Sequence, residues 1–182
     1  ADNVELALNT DPVSAASKPD VIIGVDLGTW DEPTVWSDGQ APTAAKDYVV
    51  VNTVTIEVSA NTGAFPGNSL TLLGPGMSFR ANHAETASGN VILNDSTLKV
   101  RASNTLDGNL TMNGRILFDV QNNDFVLDSC LKGAPLLTIQ GNDEALGGIQ
   151  LNGTGNEYNG LTTITGTDVF ANAEGTLGDR SI

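Results

Sequence analysis

Leu70-Thr71-Leu72-Leu73-Gly74-Pro75-Gly76-Met77-Ser78-Phe79 is followed by Val91-Ile92-Leu93-Asn94-Asp95-Ser96-Thr97-Leu98-Lys99-Val100, and then by Leu110-Thr111-Met112-Asn113-Gly114-Arg115-Ile116-Leu117-Phe118-Asp119-Val120. Each stretch has the same form: a short aliphatic run, a corner of Gly, Asn or Asp, and a second short aliphatic run. The spacing from Leu70 to Val91 is 21 residues, from Val91 to Leu110 it is 19, and from Leu98 to Ile116 it is 18. A period near twenty is the signature of stacked solenoid rungs, in which no single rung can bury its own apolar side but a stack can. Alternation within each run sends Leu, Val and Ile inward and Thr, Ser and Asn outward. Asn and Gly suit the corners because they tolerate a left-handed backbone.

Similar runs lie on both sides, at 49–51, 54–58, 125–127, 136–139, 149–151 and 161–164, and helical periodicity is nearly absent. A dozen strands of three to five residues are too many and too short for an ordinary sandwich. Asn113-Gly114 is a hairpin signal and favours the competing jelly roll, but the repeat outweighs it. The expected fold is therefore all-β, a right-handed parallel β-helix, in one domain spanning residues 1–182. Residues 1–48 are interrupted by Asp11-Pro12, Lys18-Pro19-Asp20 and Asp31-Glu32-Pro33. They are expected to form an N-terminal cap over the open strand edges, with rungs from 49 to 182. The turn-rich end, without an obvious cap, suggests a piece of a longer polypeptide.

Composition limits the partners. Eight Lys plus Arg against 22 Asp plus Glu give a net charge of −14, so no basic stripe is available for nucleic acid. The same repulsion disfavours anionic lipid and anionic polysaccharide. A neutral ligand, a cation or another protein remains. Charged residues are only 16% of the chain and mean hydropathy is near zero, which argues against disorder. No run of eighteen apolar residues is present, so no membrane insertion is expected. No signal peptide opens the chain, and one is expected to have been removed on secretion. Cys130 is the single cysteine and lies in the apolar run 125–131, the setting of a buried small hydrophobe. His83, the single histidine, lies in a polar stretch, which leaves Cys130 without a base nearby in sequence.

Gly148-Ile149-Gln150-Leu151-Asn152-Gly153-Thr154-Gly155-Asn156-Glu157-Tyr158-Asn159-Gly160-Leu161-Thr162-Thr163-Ile164 resembles the autotransporter-associated β-helix repeat, with its Gly-Asn-x-Tyr-x-Gly turn and Thr-Thr-Ile strand. Residues 171–178, ending Gly175-Thr176-Leu177-Gly178, continue the pattern. Trp36-Ser37-Asp38-Gly39-Gln40-Ala41-Pro42, Asp47-Tyr48-Val49-Val50 and Phe65-Pro66-Gly67-Asn68-Ser69-Leu70-Thr71-Leu72 look like the front of large bacterial surface or secreted proteins that carry such repeats. In architecture and composition the chain is also similar to β-helical carbohydrate-binding modules attached to bacterial polysaccharide hydrolases such as xylanases. These resemblances imply a right-handed parallel β-helix exported by a bacterium, secreted or at the cell surface; they do not imply an activity, because the repeat is mostly a structural spacer.

Candidate binding residues follow from sugar chemistry. Trp30 and Trp36 flank an acidic turn with Asp31, Glu32 and Asp38, and two exposed indoles there would stack on pyranose faces while carboxylates accept from hydroxyls. Tyr158 and Asn156 offer a phenol and an amide at one turn. Packing of both indoles into the core is the competing reading. Asp119, Asp124, Asp128 and Asp143 are the calcium candidates, although no calcium-loop motif surrounds them. Rows of Thr near strand centres, as in Val54-Thr55-Ile56, raise ice binding, but Thr is also simply a good strand former. Clustered acids with only Lys99, Arg101 and Arg115 as central cations make pectin cleavage the least favoured reading. The expected function is non-catalytic binding of a neutral plant or algal glycan such as xylan, with no cofactor beyond calcium and an attached domain such as a glycoside hydrolase. The alternative is a structural or adhesive stalk or passenger segment.

Overall fold

The computed structural model describes residues 20–22, 28–51, 54–58, 63–74, 78–81, 86–142 and 148–173. Among these the chain is a parallel β-solenoid built from two sheets. The first sheet contains β1 (Asp20–Ile22), β3 (Asp47–Val50), β5 (Ser69–Leu73), β7 (Thr86–Asn94), β9 (Asn104–Asn113), β11 (Phe125–Leu127), β14 (Gly148–Leu151) and β17 (Asp168–Ala171) in spatial order. β12 (Cys130–Gly133) and β15 (Glu157–Tyr158) extend it beside the second half of β9. The second sheet contains β2 (Gly28–Thr29), β4 (Thr55–Glu57), β6 (Ser78–Ala81), β8 (Thr97–Val100), β10 (Arg115–Gln121), β13 (Leu136–Gly141) and β16 (Leu161–Thr165).

Each paired run that defines the repeat is divided between the two sheets. β7 belongs to one and β8 to the other, and each pairs in parallel with the equivalent strand one repeat away. No antiparallel pair occurs among the described strands, which removes the jelly roll. Asn113-Gly114 is not a hairpin turn but the corner at which the chain leaves β9 for β10. Gly114 has φ +74° there, and the Asp95 carboxylate one level away accepts from the Arg115 N–H at 2.9 Å.

The interior is a set of aliphatic columns in register. Tyr48, Leu70, Val91, Leu110 and Leu131 form one, and Val50, Leu72, Leu93 and Met112 another. Leu98, Phe118 and Ile139 face them from the second sheet, and all of these residues are buried. Each such side chain contributes about 1.5–3 kcal/mol by leaving water. At the corners, amides repeat the same register: Asn113 donates to Asn94 at 2.9 Å, Asn172 to Asn152 at 2.8 Å and Asn152 to Asp128 at 3.0 Å.

Of the stretch expected to be a cap, residues 1–19 and 23–27 lie outside the described residues. The described part continues the solenoid itself: β1 pairs with β3 and β2 with β4. Between β2 and β3 a short 3-10 turn, Pro33–Val35, places Trp36 against the interior.

One close approach fixes a glycine. Gly108 stacks on Gly89 with φ +96°, and a Cβ at 108 would lie 2.3 Å from the Gly89 carbonyl oxygen. Gly39 also has positive φ, +67°, but open space around it. Gly108→Ala is expected to cost about 3 kcal/mol or more, because backbone must move as well as twist. Gly39→Ala should cost about 1 kcal/mol. Urea unfolding of the two variants compares them directly, and equal midpoints would contradict the stacked-glycine geometry.

Candidate functional site

The two tryptophans are not a sugar platform. Trp30 is fully buried and Trp36 is 3% exposed. They pack with Tyr48 and Phe65: Trp36 meets Tyr48 edge-on at 4.5 Å between centroids, and Trp30 lies 5.5 Å from Phe65. The Trp36 indole N–H donates to the Trp30 carbonyl at 3.1 Å, and the Tyr48 hydroxyl accepts from the Thr43 N–H at 3.0 Å. Both indoles therefore spend their faces on the core cluster, which corrects the expectation of exposed rings. Asp31, beside them, is half-buried on the rim.

Tyr158 is buried as well, with its hydroxyl 2.7 Å from the Thr162 hydroxyl. Asn156 closes the turn, accepting from the Leu131 N–H at 2.8 Å and donating to the Gly153 carbonyl. Its amide ties one level to the next and is committed to the fold. The carboxylates do not converge. Asp119 pairs with Arg101 at 2.9 Å, Asp124 accepts from the Gly148 N–H at 3.2 Å, and Asp128 holds Asn152. No group of three or more acidic, His or Cys side chains forms a metal cage among the described residues. Asp143 and His83 lie outside the described residues. The Cys130 thiol is half-buried and donates to the Gly155 carbonyl at 3.0 Å.

The structure instead offers a groove on the solvent face of the second sheet, about 460 Å³ in volume and lined by Arg115, Ile116, Leu117, Leu136, Thr138 and Gln140. That volume lies within the range of small-ligand sites, roughly 300–1,000 Å³. It arises where β10 and β13 each carry two aliphatics in succession, Ile116-Leu117 and Leu136-Leu137. A strand can turn only one of each pair inward. Ile116 and Leu137 are buried, so Leu117 and Leu136 are left outside, Leu136 at 54% exposure. Register places Arg115 beside Leu136, Leu117 beside Thr138 and Asp119 beside Gln140. These groove residues were absent from the sequence-derived candidates, yet the doubled aliphatics are a readable sign of them.

The groove has an apolar floor with a guanidinium, an amide and a hydroxyl at its sides. It can hold a ligand with C–H faces and many hydroxyls. None of its lining residues is a carboxylate, histidine or cysteine, so it has no proton-transfer group poised near neutral pH. No protein-family model, curated protein or solved structure matches the chain.

Two outcomes are expected. Tryptophan emission should be blue-shifted and poorly quenched by iodide in the intact chain, and solvent-exposed emission would contradict the buried cluster. Burial pushes the Tyr158 phenol above its ordinary value, and the Thr162 bond only partly offsets this. A raised pKa in the folded state gives stability that is complete below the unfolded value, about 10, and is lost as pH rises through the folded one. Tyr158→Phe should therefore narrow its stability deficit above about pH 10. A deficit that stays constant across the alkaline range in denaturation series would refute the assignment.

Proposed function

We propose that this chain is a non-catalytic polysaccharide-binding module that holds a neutral cell-wall glycan, xylan-like chains first, on the outer face of its second sheet. The observation that carries this reading is the groove over β10 and β13, in which Leu136 lies bare and Leu117 half-exposed among Arg115, Thr138 and Gln140. Pyranose rings present apolar C–H faces between equatorial hydroxyls, and this surface presents the matching alternation. Rungs about 4.8 Å apart repeat the outward positions Thr97, Leu117, Thr138 and Thr163 in one row, so a polymer meets equivalent groups along its length. A stiff surface also loses little entropy on binding. Secretion by a bacterium and attachment to a catalytic domain such as a glycoside hydrolase belong to the same proposal.

Affinity electrophoresis in gels containing soluble xylan, mannan, β-glucan or none tests it. Retardation is expected in the xylan gel, and Leu136→Asp should weaken it roughly tenfold, the effect of losing about 1.4 kcal/mol of apolar contact. Unchanged mobility in every glycan gel would refute the proposal and leave the stalk or passenger reading.

A further inference from the structure

The cations of this acidic chain are unevenly placed. Of eight Lys and Arg, Lys18 and Arg180 lie outside the described residues, and Lys46 and Lys132 pair with Asp38 and Glu157 away from the groove. The other four, Arg80, Lys99, Arg101 and Arg115, all lie on or directly after strands of the second sheet. Arg101 is held by Asp119. Neither Lys99 nor Arg115 makes an ion pair among the described residues.

Register sharpens the pattern. Stacked side chains in a parallel ladder sit about 4.8 Å apart, and like charges there are destabilising. Among the described registered pairs, charged residues meet an opposite or an uncharged partner: Lys99 with Asp119, Lys132 with Glu157, Asp47 with Ser69, Arg115 with Leu136. The exception is Arg80 with Lys99 at consecutive levels of the groove-bearing sheet, where Arg80 also stands in register with Glu57 on its other side. Beside the groove, Lys99, Arg101 and Arg115 stand against Asp95 and Asp119, three positive groups against two negative in a chain of net −14. Arg115 marks one end of the apolar floor. Lys99, next to Asp119 in register, marks the other, four residues or about 13 Å along the strand.

We infer that the groove selects glycans whose neutral backbone carries scattered carboxylate substituents, uronic acids, with Arg115 receiving the carboxylate as a two-pronged donor and Lys99 serving as a second anchor. This rests on the proposed glycan-binding function and specifies its substrate class. Apolar contact along the floor fixes the backbone, and the planar guanidinium matches a carboxylate. A fully charged polyuronate does not fit, because most of its length would cross the acidic remainder of the surface.

The test uses the intact chain in calorimetric titrations with two soluble xylans of matched backbone, one bearing glucuronic acid groups and one stripped of them, and with polygalacturonate. At about 20 mM salt the carboxylated xylan should bind roughly fivefold more tightly than the stripped one. The difference should shrink at about 300 mM salt, where screening reaches only a few ångströms. Arg115→Gln and Lys99→Gln should each reduce the preference, whereas Lys132→Gln should not. Equal affinity for the two xylans, a salt-insensitive preference, or tighter binding of polygalacturonate would each overturn the inference while leaving glycan binding in place. Absence of binding to either xylan would overturn the inference, and only if mannan and β-glucan also failed to bind would the glycan-binding reading fall with it. The salt dependence of the unmodified chain is independent of how any variant folds.

Discussion

The whole molecule depends on parallel backbone pairing between one coil and the next. A strand of three to five residues buries too little to persist alone, and its N–H and C=O groups need partners once the interior is dry. Both needs are met only by the strand one repeat away. Leu70, Leu72, Val91, Leu93, Leu110 and Met112 thus become continuous columns because the backbone register is held, and the register is held because a slip by one residue would turn the columns outward. Corner residues keep this register. Gly108 on Gly89, within β9 and β7, and the Arg115 N–H on Asp95 at a corner let successive levels stack closely, and the amide bonds of Asn94 with Asn113 and of Asn152 with Asn172 repeat the fit from level to level.

That dependence explains what the sequence revealed. A repeat near twenty residues with two aliphatic runs per period is a local property, so the solenoid and its stacked apolar interior were legible from the repeat and the resemblance, whereas the division into two sheets emerges only from strand pairing. The boundary of the N-terminal stretch was not. Asp20–Ile22 and Gly28–Thr29 are short and surrounded by Pro and Asp, and their status as rung strands follows only from pairing with β3 and β4. The tryptophans failed for the same reason. Whether Trp30 and Trp36 face solvent depends on Tyr48 and Phe65 reaching them from other levels, a tertiary fact that an acidic turn beside two indoles does not disclose. Asp119, Asp124 and Asp128 were near in sequence, but extended backbone spreads them over different sides, where each serves a separate partner.

Where the site was legible, the sign lay in a violation of alternation. Leu136-Leu137 and Ile116-Leu117 place two aliphatics where one belongs, and a strand must leave one of them in water. A bare leucine at 54% exposure costs solubility and adds nothing to the core. Attention to excess apolar residues, rather than to aromatic ones, points to β10 and β13.

Stacking also bears on how a chain of −14 remains folded. Every outward position has neighbours about 4.8 Å above and below, so a solenoid amplifies charge placement more than a globule does. Acids here are spread over corners and strand ends opposite Ser, Thr, Gly or a base: Asp47 by Ser69, Asp107 by Ser88, Asp168 by Gly148, Glu157 by Lys132. Against that order, the register sets Arg80 beside Lys99, each with an acid at the level on its other side, Glu57 and Asp119, while Ile56, Leu98 and Phe118 are buried in the core. The columns could be built without Lys99 and Arg115, whereas the proposed carboxylate contact depends on them.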